Sequence, residues 1–338
     1  MSYYRNFDRR KRTLSDLQHV VATVLICLFC WVTGYIHSTG FPLTADDAVT
    51  PAPLWTILLK WINNKQIAYI LGLLLIILTA FIIQRINDIE MLIRERTRLV
   101  FMIFFILSST NNGIIPFNNV TIVLLCLALM IYELFNTFQM PEARGKLFDA
   151  GVYIGVAGLF MPQALWFLPL LWLGMYQLLS MNYKSFMASL LGVLTVYWLV
   201  LAWCVWRHDF TIFYSLFTSL TEFQLFSIFF SLRYSHLGFF LIVFLMIPVF
   251  INIKMDAINN RLRVRQMLSF LLNMSIWSFI LICLFGGSTD AFLSIFYLPL
   301  TVLMAYFFEK LRRPFHFLFY YLILAVNVFS FLLQIWNH

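Results

Sequence analysis

Charge is what this chain has least of. Only 11% of its 338 residues are Asp, Glu, Lys or Arg, against 62% hydrophobic, where soluble domains carry roughly 25% charge. With a mean hydropathy of +0.86, a soluble globular domain is excluded, and no segment between the apolar runs is long enough to form one. Three motifs are missing as well. The chain has no G-x-x-x-x-G-K-[ST] phosphate loop, no H-E-x-x-H zinc helix and no strand-bound G-x-G-x-x-G. Any nucleotide energy would therefore come from another subunit or from a substrate already activated in the membrane. The five cysteines, Cys27, Cys30, Cys126, Cys204 and Cys283, all lie inside apolar runs. Despite the CxxC spacing of the first two, they read as small buried hydrophobes rather than redox or metal centres. The first apolar run ends in "WVTGYIHSTGF" without an A-x-A-like cleavage site, which predicts a retained anchor rather than a signal peptide.

What remains is apolar runs of about 17 to 25 residues, the length that crosses a bilayer. Spans are expected near Val20–Ile36, Ile67–Ile83, Leu99–Ser108, Val120–Phe138, Phe148–Phe160, Ala164–Leu179, Phe186–Val205, Leu237–Ile253, Met267–Phe285, Ala291–Phe308 and Phe315–Trp336. The net charge of +8 does not indicate nucleic acid, because the cations are not gathered into one patch with interleaved aromatics. They fall in short clusters between spans, as retention of Lys and Arg on the cytoplasmic side produces. With the N-terminus cytoplasmic and eleven spans, all 23 basic residues fall inside except Lys60, Lys65, Arg207 and Arg233. The expected fold is thus an all-α, polytopic transmembrane helical bundle over residues 1–338, a single integral membrane domain in the lipid bilayer. Residues 1–19 form its basic cytoplasmic tail. Two spans, Leu99–Ser108 and Phe148–Phe160, are short; if both are re-entrant the count falls from eleven to nine.

Two outer segments exceed a tight turn, 37–66 and 206–236. In the first, "TPAPLWTILLKWINNK" places two prolines near a helix start and apolar residues at helical spacing, which predicts a helix in the interface plane. The second, "FTIFYSLFTSLTEFQLFSIFF", is aromatic and nearly uncharged. Polar groups at membrane depth are fewer. Glu133 sits inside an apolar span, where an ionisable side chain is costly and faces a cavity or partner, or snorkels to the nearby end. Asn111, Asn112 and Asn119 flank a proline in "STNNGIIPFNN", where polar backbone in lipid needs partners. Asp149 reads as a helix cap, and Gly151, Gly155 and Gly158 as a close-packing face.

Two resemblances follow from particular stretches. "LFDAGVYIGVAGLFMPQALWFLPLLWLGMYQLL", Leu147 to Leu179, resembles the central block of an uncharacterised family of bacterial multi-pass inner-membrane proteins, and "GVLTVYWL" resembles its following block, with Val196 in place of a proline. "PFNN" at Pro116 to Asn119 is a further point of similarity. More distantly, an acidic first outer loop followed by a proline-led amphipathic helix and a Gly-rich span is similar to GT-C glycosyltransferases. That resemblance implies an envelope-biogenesis enzyme using a polyprenyl-phosphate-linked sugar. Asp46 or Asp47 would then act as general base on the acceptor or help hold a divalent metal. The leaving phosphate needs cationic stabilisation, for which Lys60, Lys65, Arg207 and Arg233, with His208 and His236, are the outer-face candidates. The chain departs from GT-C enzymes in lacking a C-terminal soluble domain and a His-Pro-Pro-like turn after its acidic pair, so an inactive relative is also expected. A transporter or flippase for a lipid-linked substrate and a non-catalytic scaffold subunit stand as alternatives. For Asp46 and Asp47 a solvated turn or helix cap competes with catalysis; for the cations, interfacial anchoring competes with phosphate binding.

Overall fold

Long apolar runs interrupted by Asn, Pro and short basic clusters fold here as helices, because in lipid each backbone N–H and C=O must be satisfied within its own segment. The computed structural model describes residues 2–37, 64–93, 98–111, 114–115, 117–208, 210–218, 246–253, 261–286, 289–310 and 313–336, with residues 54, 55, 58, 62, 220 and 255. Among the described residues there is no β-strand. The helices are α1 (Ser2–His37), α2 (Lys65–Glu90), α3 (Leu99–Ser109), α4 (Asn119–Phe135), α5 (Arg144–Phe160), α6 (Leu168–Gln177), α7 (Tyr183–Arg207), α8 (Thr211–Thr218), α9 (Leu262–Leu284), α10 (Thr289–Lys310) and α11 (Arg313–Trp336). Five stretches are long and apolar enough to cross a membrane: Gln18–His37 within α1, and α2, α7, α9 and α10. Leu99–Ser109, Asn119–Phe135 and Leu318–Leu333 are shorter apolar helices. The chain is an all-helical integral membrane protein.

Burial orders the bundle. The apolar window of α10 is 100% buried and that of α9 56%, whereas α1 and α7 are each 22% buried, so α10 is the central post and α1 and α7 are peripheral. Around α10 lie α3, α4 and α9; α5 packs between α4 and α7. α5 and α7 pack backbone against backbone, and the cause is glycine. A Cβ on Gly151 would fall on the backbone carbonyl of Ser189, and one on Gly192 on the carbonyl of Phe148, so only Gly lets these backbones approach. The small-residue face expected of Gly151, Gly155 and Gly158 is therefore a packing seam.

One expected span differs in shape. Ala164–Leu179 begins as a 3-10 turn, Pro162–Phe167, and becomes α-helical only over Leu168–Gln177. Pro162 and Pro169 lack the N–H groups a continuous helix from α5 would need, and each sits where a new helical segment starts. α3 ends at Ser109, as its polar continuation predicts. Only residues 246–253 and 255 of the expected Leu237–Ile253 span and its flank belong to the described residues, and there they are helical.

Candidate functional site

Helix ends gather into two opposite clusters. At one, the Glu90 carboxylate at the end of α2 receives Arg263 of α9: Nη2 donates to Oε1 at 2.8 Å and Nε lies 2.6 Å from Oε2. The Glu90 side chain is 3% exposed and that of Arg263 47%, and the guanidinium also lies over the Phe138 ring. Nearby, Lys146 Nζ donates to the Asn136 carbonyl at 3.1 Å, Ser185 Oγ to the Pro141 carbonyl at 3.1 Å, and Gln139 N to the Leu178 carbonyl at 3.0 Å. Partway along each helix, α1 and α11 also meet, through Thr23 with Tyr320 and His19 with Tyr321.

At the other cluster the ends of α1, α3 and α5 meet the starts of α2, α4 and α10. Tyr69 OH donates to the Gly34 carbonyl at 3.1 Å, and Trp31 Nε1 to Ser109 Oγ at 3.2 Å. Asn111, just past α3, donates through Nδ2 to Ser294 Oγ of α10 at 3.0 Å. Asn118 caps α4 in a capping box with Thr121, which satisfies N–H groups that would otherwise be orphaned. Asn119 is fully buried; its Nδ2 donates to the Phe160 carbonyl at 3.1 Å, and its Oδ1 has no partner among the described residues. Gly72 completes the cluster, since a Cβ there would stand 3.1 Å from the backbone nitrogen of Phe117.

Of the residues singled out in the sequence, Lys65, Asn111 and Asn119 come together at this second end. Lys65 opens α2 with its ammonium 4.6 Å from the Tyr35 ring centre. Arg207 ends α7 with its guanidinium 5.2 Å from the Trp203 ring centre, beside exposed Trp206, the arrangement of an interfacial anchor. His208 terminates α7 in a left-handed conformation, φ 56°. Glu133 lies elsewhere, on α4 near the Glu90 end, within electrostatic reach of Asp149 and Lys146. Asp46, Asp47, Lys60, Asn112, Arg233 and His236 lie outside the described residues. So do both carboxylates that would hold a divalent metal, and among the described residues no three His, Cys, Asp or Glu side chains converge.

In the segment expected to lie in the interface plane, Leu54, Trp55 and Leu58 are helical while Ile62 and Asn64 are not; Trp55 is 2% exposed, packed on Phe117 and Ala68, and Leu54 joins Leu159, Val196 and Leu216. Two features escaped the sequence reading: the Glu90–Arg263 pair, whose partners stand 173 residues apart, and Ser294 of α10, which meets Asn111. The spacing of Asp290, Ser294, Tyr297 and Thr301 in "DAFLSIFYLPLT" was the available signal, since steps of three and four share a helix face.

Comparisons with protein-family models, curated proteins and solved structures yield no match. The reading rests on the site itself.

Proposed function

We propose that the chain crosses a bacterial inner membrane eleven times with its N-terminus cytoplasmic, and handles a polyprenyl-phosphate-linked glycan at the outer face as a GT-C-like glycosyltransferase or an inactive relative of one. The observation that carries this is the second cluster. An 11-residue α3 is about 16 Å long, half the roughly 30 Å hydrocarbon core. Beyond it, Ile114, Ile115 and Phe117 are buried and not helical, a backbone tolerated in a membrane only where protein or a cavity surrounds it. The broken helices, the buried amides and Lys65 share that end, where Trp55 packs on Phe117 and Ala68. The alternation of helix ends supports the orientation: the Glu90–Arg263 pair and Lys146 both join ends assigned to the cytoplasmic side. Glu133 lies among those cytoplasmic ends, away from the broken helices, which weighs against a transporter needing an ionisable group at a mid-membrane break.

In this reading a carboxylate of the first outer loop accepts the acceptor hydroxyl's proton, worth roughly 10²- to 10⁴-fold, and Lys65 with the other outer cations stabilises the phosphate. The test is to compare lipid-linked and surface glycans of cells lacking the gene, complemented with wild type or with Asp46→Asn/Asp47→Asn protein at matched membrane abundance. The expected outcome is a truncated glycan that wild type restores and the double variant does not. Full restoration by the double variant would remove catalysis and leave a scaffold; glycans unchanged by the deletion would overturn the reading altogether.

A further inference from the structure

α2 turns one long face outward. Ile67, Ile70, Leu74, Leu78, Phe81 and Ile89 are all exposed large apolar residues, and their spacing in threes and fours makes them one stripe of the helix, the stripe it shows to lipid. Arg85 fills the remaining place in that series, four residues from both Phe81 and Ile89, and is exposed as they are. From Lys65 to Arg85 the helix rises about 30 Å, the thickness of the hydrocarbon core. With Lys65 at one membrane surface, Arg85 stands at the headgroups of the other.

α3 brings a second arginine to the same level. It runs back beside α2: Phe101 N donates to Gln84 Oε1 at 3.2 Å, and the Phe101 ring lies 5.1 Å from that of Phe81. Arg85 follows Phe81 by one turn, and Arg98, the N-cap of α3, precedes Phe101 by one turn. Each step leads about 5 Å towards the Glu90 end. The two arginines therefore stand on neighbouring helices just beyond the paired rings. Arg98 is exposed too. Among the described residues neither arginine has a hydrogen bond, an ion pair or a ring contact, unlike Arg263, held by Glu90, and Arg207, laid over Trp203. Asp88, one turn beyond Arg85, accepts from Gln84 Nε2 at 2.8 Å instead. Two like charges at one level repel, and an anion shared between them reverses the sign of that interaction.

We infer that Arg85 and Arg98 hold the phosphate of an anionic phospholipid from the leaflet at the Glu90 end, with its acyl chains along Phe81, Phe101 and the outward stripe of α2. Guanidinium N–H groups match phosphate oxygens in pairs. The depth of the site selects a lipid over a soluble anion, because the charges lie at headgroup level with exposed apolar side chains directly on their membrane side. The inference goes beyond the glycan reading and does not depend on it; it needs this face of α2 to meet lipid, which its exposed apolar stripe supports.

The test is native mass spectrometry of the full-length chain in detergent, titrated with phosphatidylglycerol or with phosphatidylcholine of the same acyl chains. Wild type is expected to bind phosphatidylglycerol at least about tenfold more tightly, and Arg85→Gln and Arg98→Gln each to weaken that binding about fivefold. The double variant is expected to lose the preference. Because neither arginine leaves a partner stranded, these chains are expected to fold as wild type does. Arg144→Gln/Lys184→Gln removes the same charge from other exposed residues at this end and is expected to keep the preference. A double variant that still prefers phosphatidylglycerol overturns the assignment. So does a control that loses the preference equally, since the effect would then belong to the charge of the whole face. Displacement of bound phosphatidylglycerol by inorganic phosphate overturns it as well, by making the pair a site for a free anion.

Discussion

Replacing Gly151 with alanine tests whether the α5–α7 seam is held together by what is missing from it. Alanine is the better helix former by about 1 kcal/mol, so on propensity alone the variant should be more stable. The new Cβ, however, lands on the backbone carbonyl of Ser189, which no rotamer change can clear. The helices must separate, and a gap of about 0.5–1 Å forfeits a quarter to a half of each dispersion contact along the seam. Ser189 would move with α7, straining the bond it accepts from Trp172 Nε1 at 3.2 Å. Overpacking of this kind costs about 1–3 kcal/mol, enough to outweigh the propensity gain and leave a net loss of up to about 2 kcal/mol. Gly145, on the same helix, has nothing within 4 Å of its would-be Cβ, so Gly145→Ala should match wild type or exceed it by up to about 1 kcal/mol. The assay is thermal unfolding of the purified full chain, read by a thiol-reactive dye, since Cys27, Cys30, Cys126 and Cys204 are buried and not joined in disulfides. The expected order of midpoints is Gly151→Ala below wild type and Gly145→Ala at or above it. A Gly151→Ala midpoint at or above wild type would refute the steric account of the seam.

The Glu90–Arg263 pair should respond asymmetrically. Arg263→Ala strands a carboxylate that is almost wholly buried and should cost about 3 kcal/mol, whereas Glu90→Gln leaves a guanidinium that is half in water and should cost about 1 kcal/mol; equal losses in the same unfolding assay would argue against the pair as described. Combining the two should cost less than the sum of the singles, because the interaction they share is lost only once. Trp55→Ala removes a buried ring packed 5.2 Å from that of Phe117, a truncation of the kind that costs about 3–5 kcal/mol in a core. Because Trp55 belongs to a small cluster separate from the main one, the loss should appear as faster proteolysis of the 54–62 segment, with little change in the unfolding midpoint of the bundle.

The hydrophobic content and the distribution of Lys and Arg determined that the chain is a helical membrane protein, because in lipid the backbone has no other way to pair its polar groups and cations resist crossing. Sequence also marked where helices break. Asn118 and Asn119 sit before an apolar run, and Pro162 follows one; each acts through its own backbone and needs no distant partner. The small-residue spacing of Gly151, Gly155 and Gly158 announced a contact face, though not that α7 would fill it. Which helix becomes the centre was decided only in three dimensions. α10 is no more apolar than α2 or α9, yet it alone is enclosed all round, because burial depends on how many neighbours surround a helix and not on its own composition. The same holds for the site. Asn111 and Ser294 are 183 residues apart, and Glu90 and Arg263 nearly as far. Local pattern records what a residue offers, but pairing across such distances comes from packing, which puts Asn111 beside Ser294 of α10 where α3 runs out of helix.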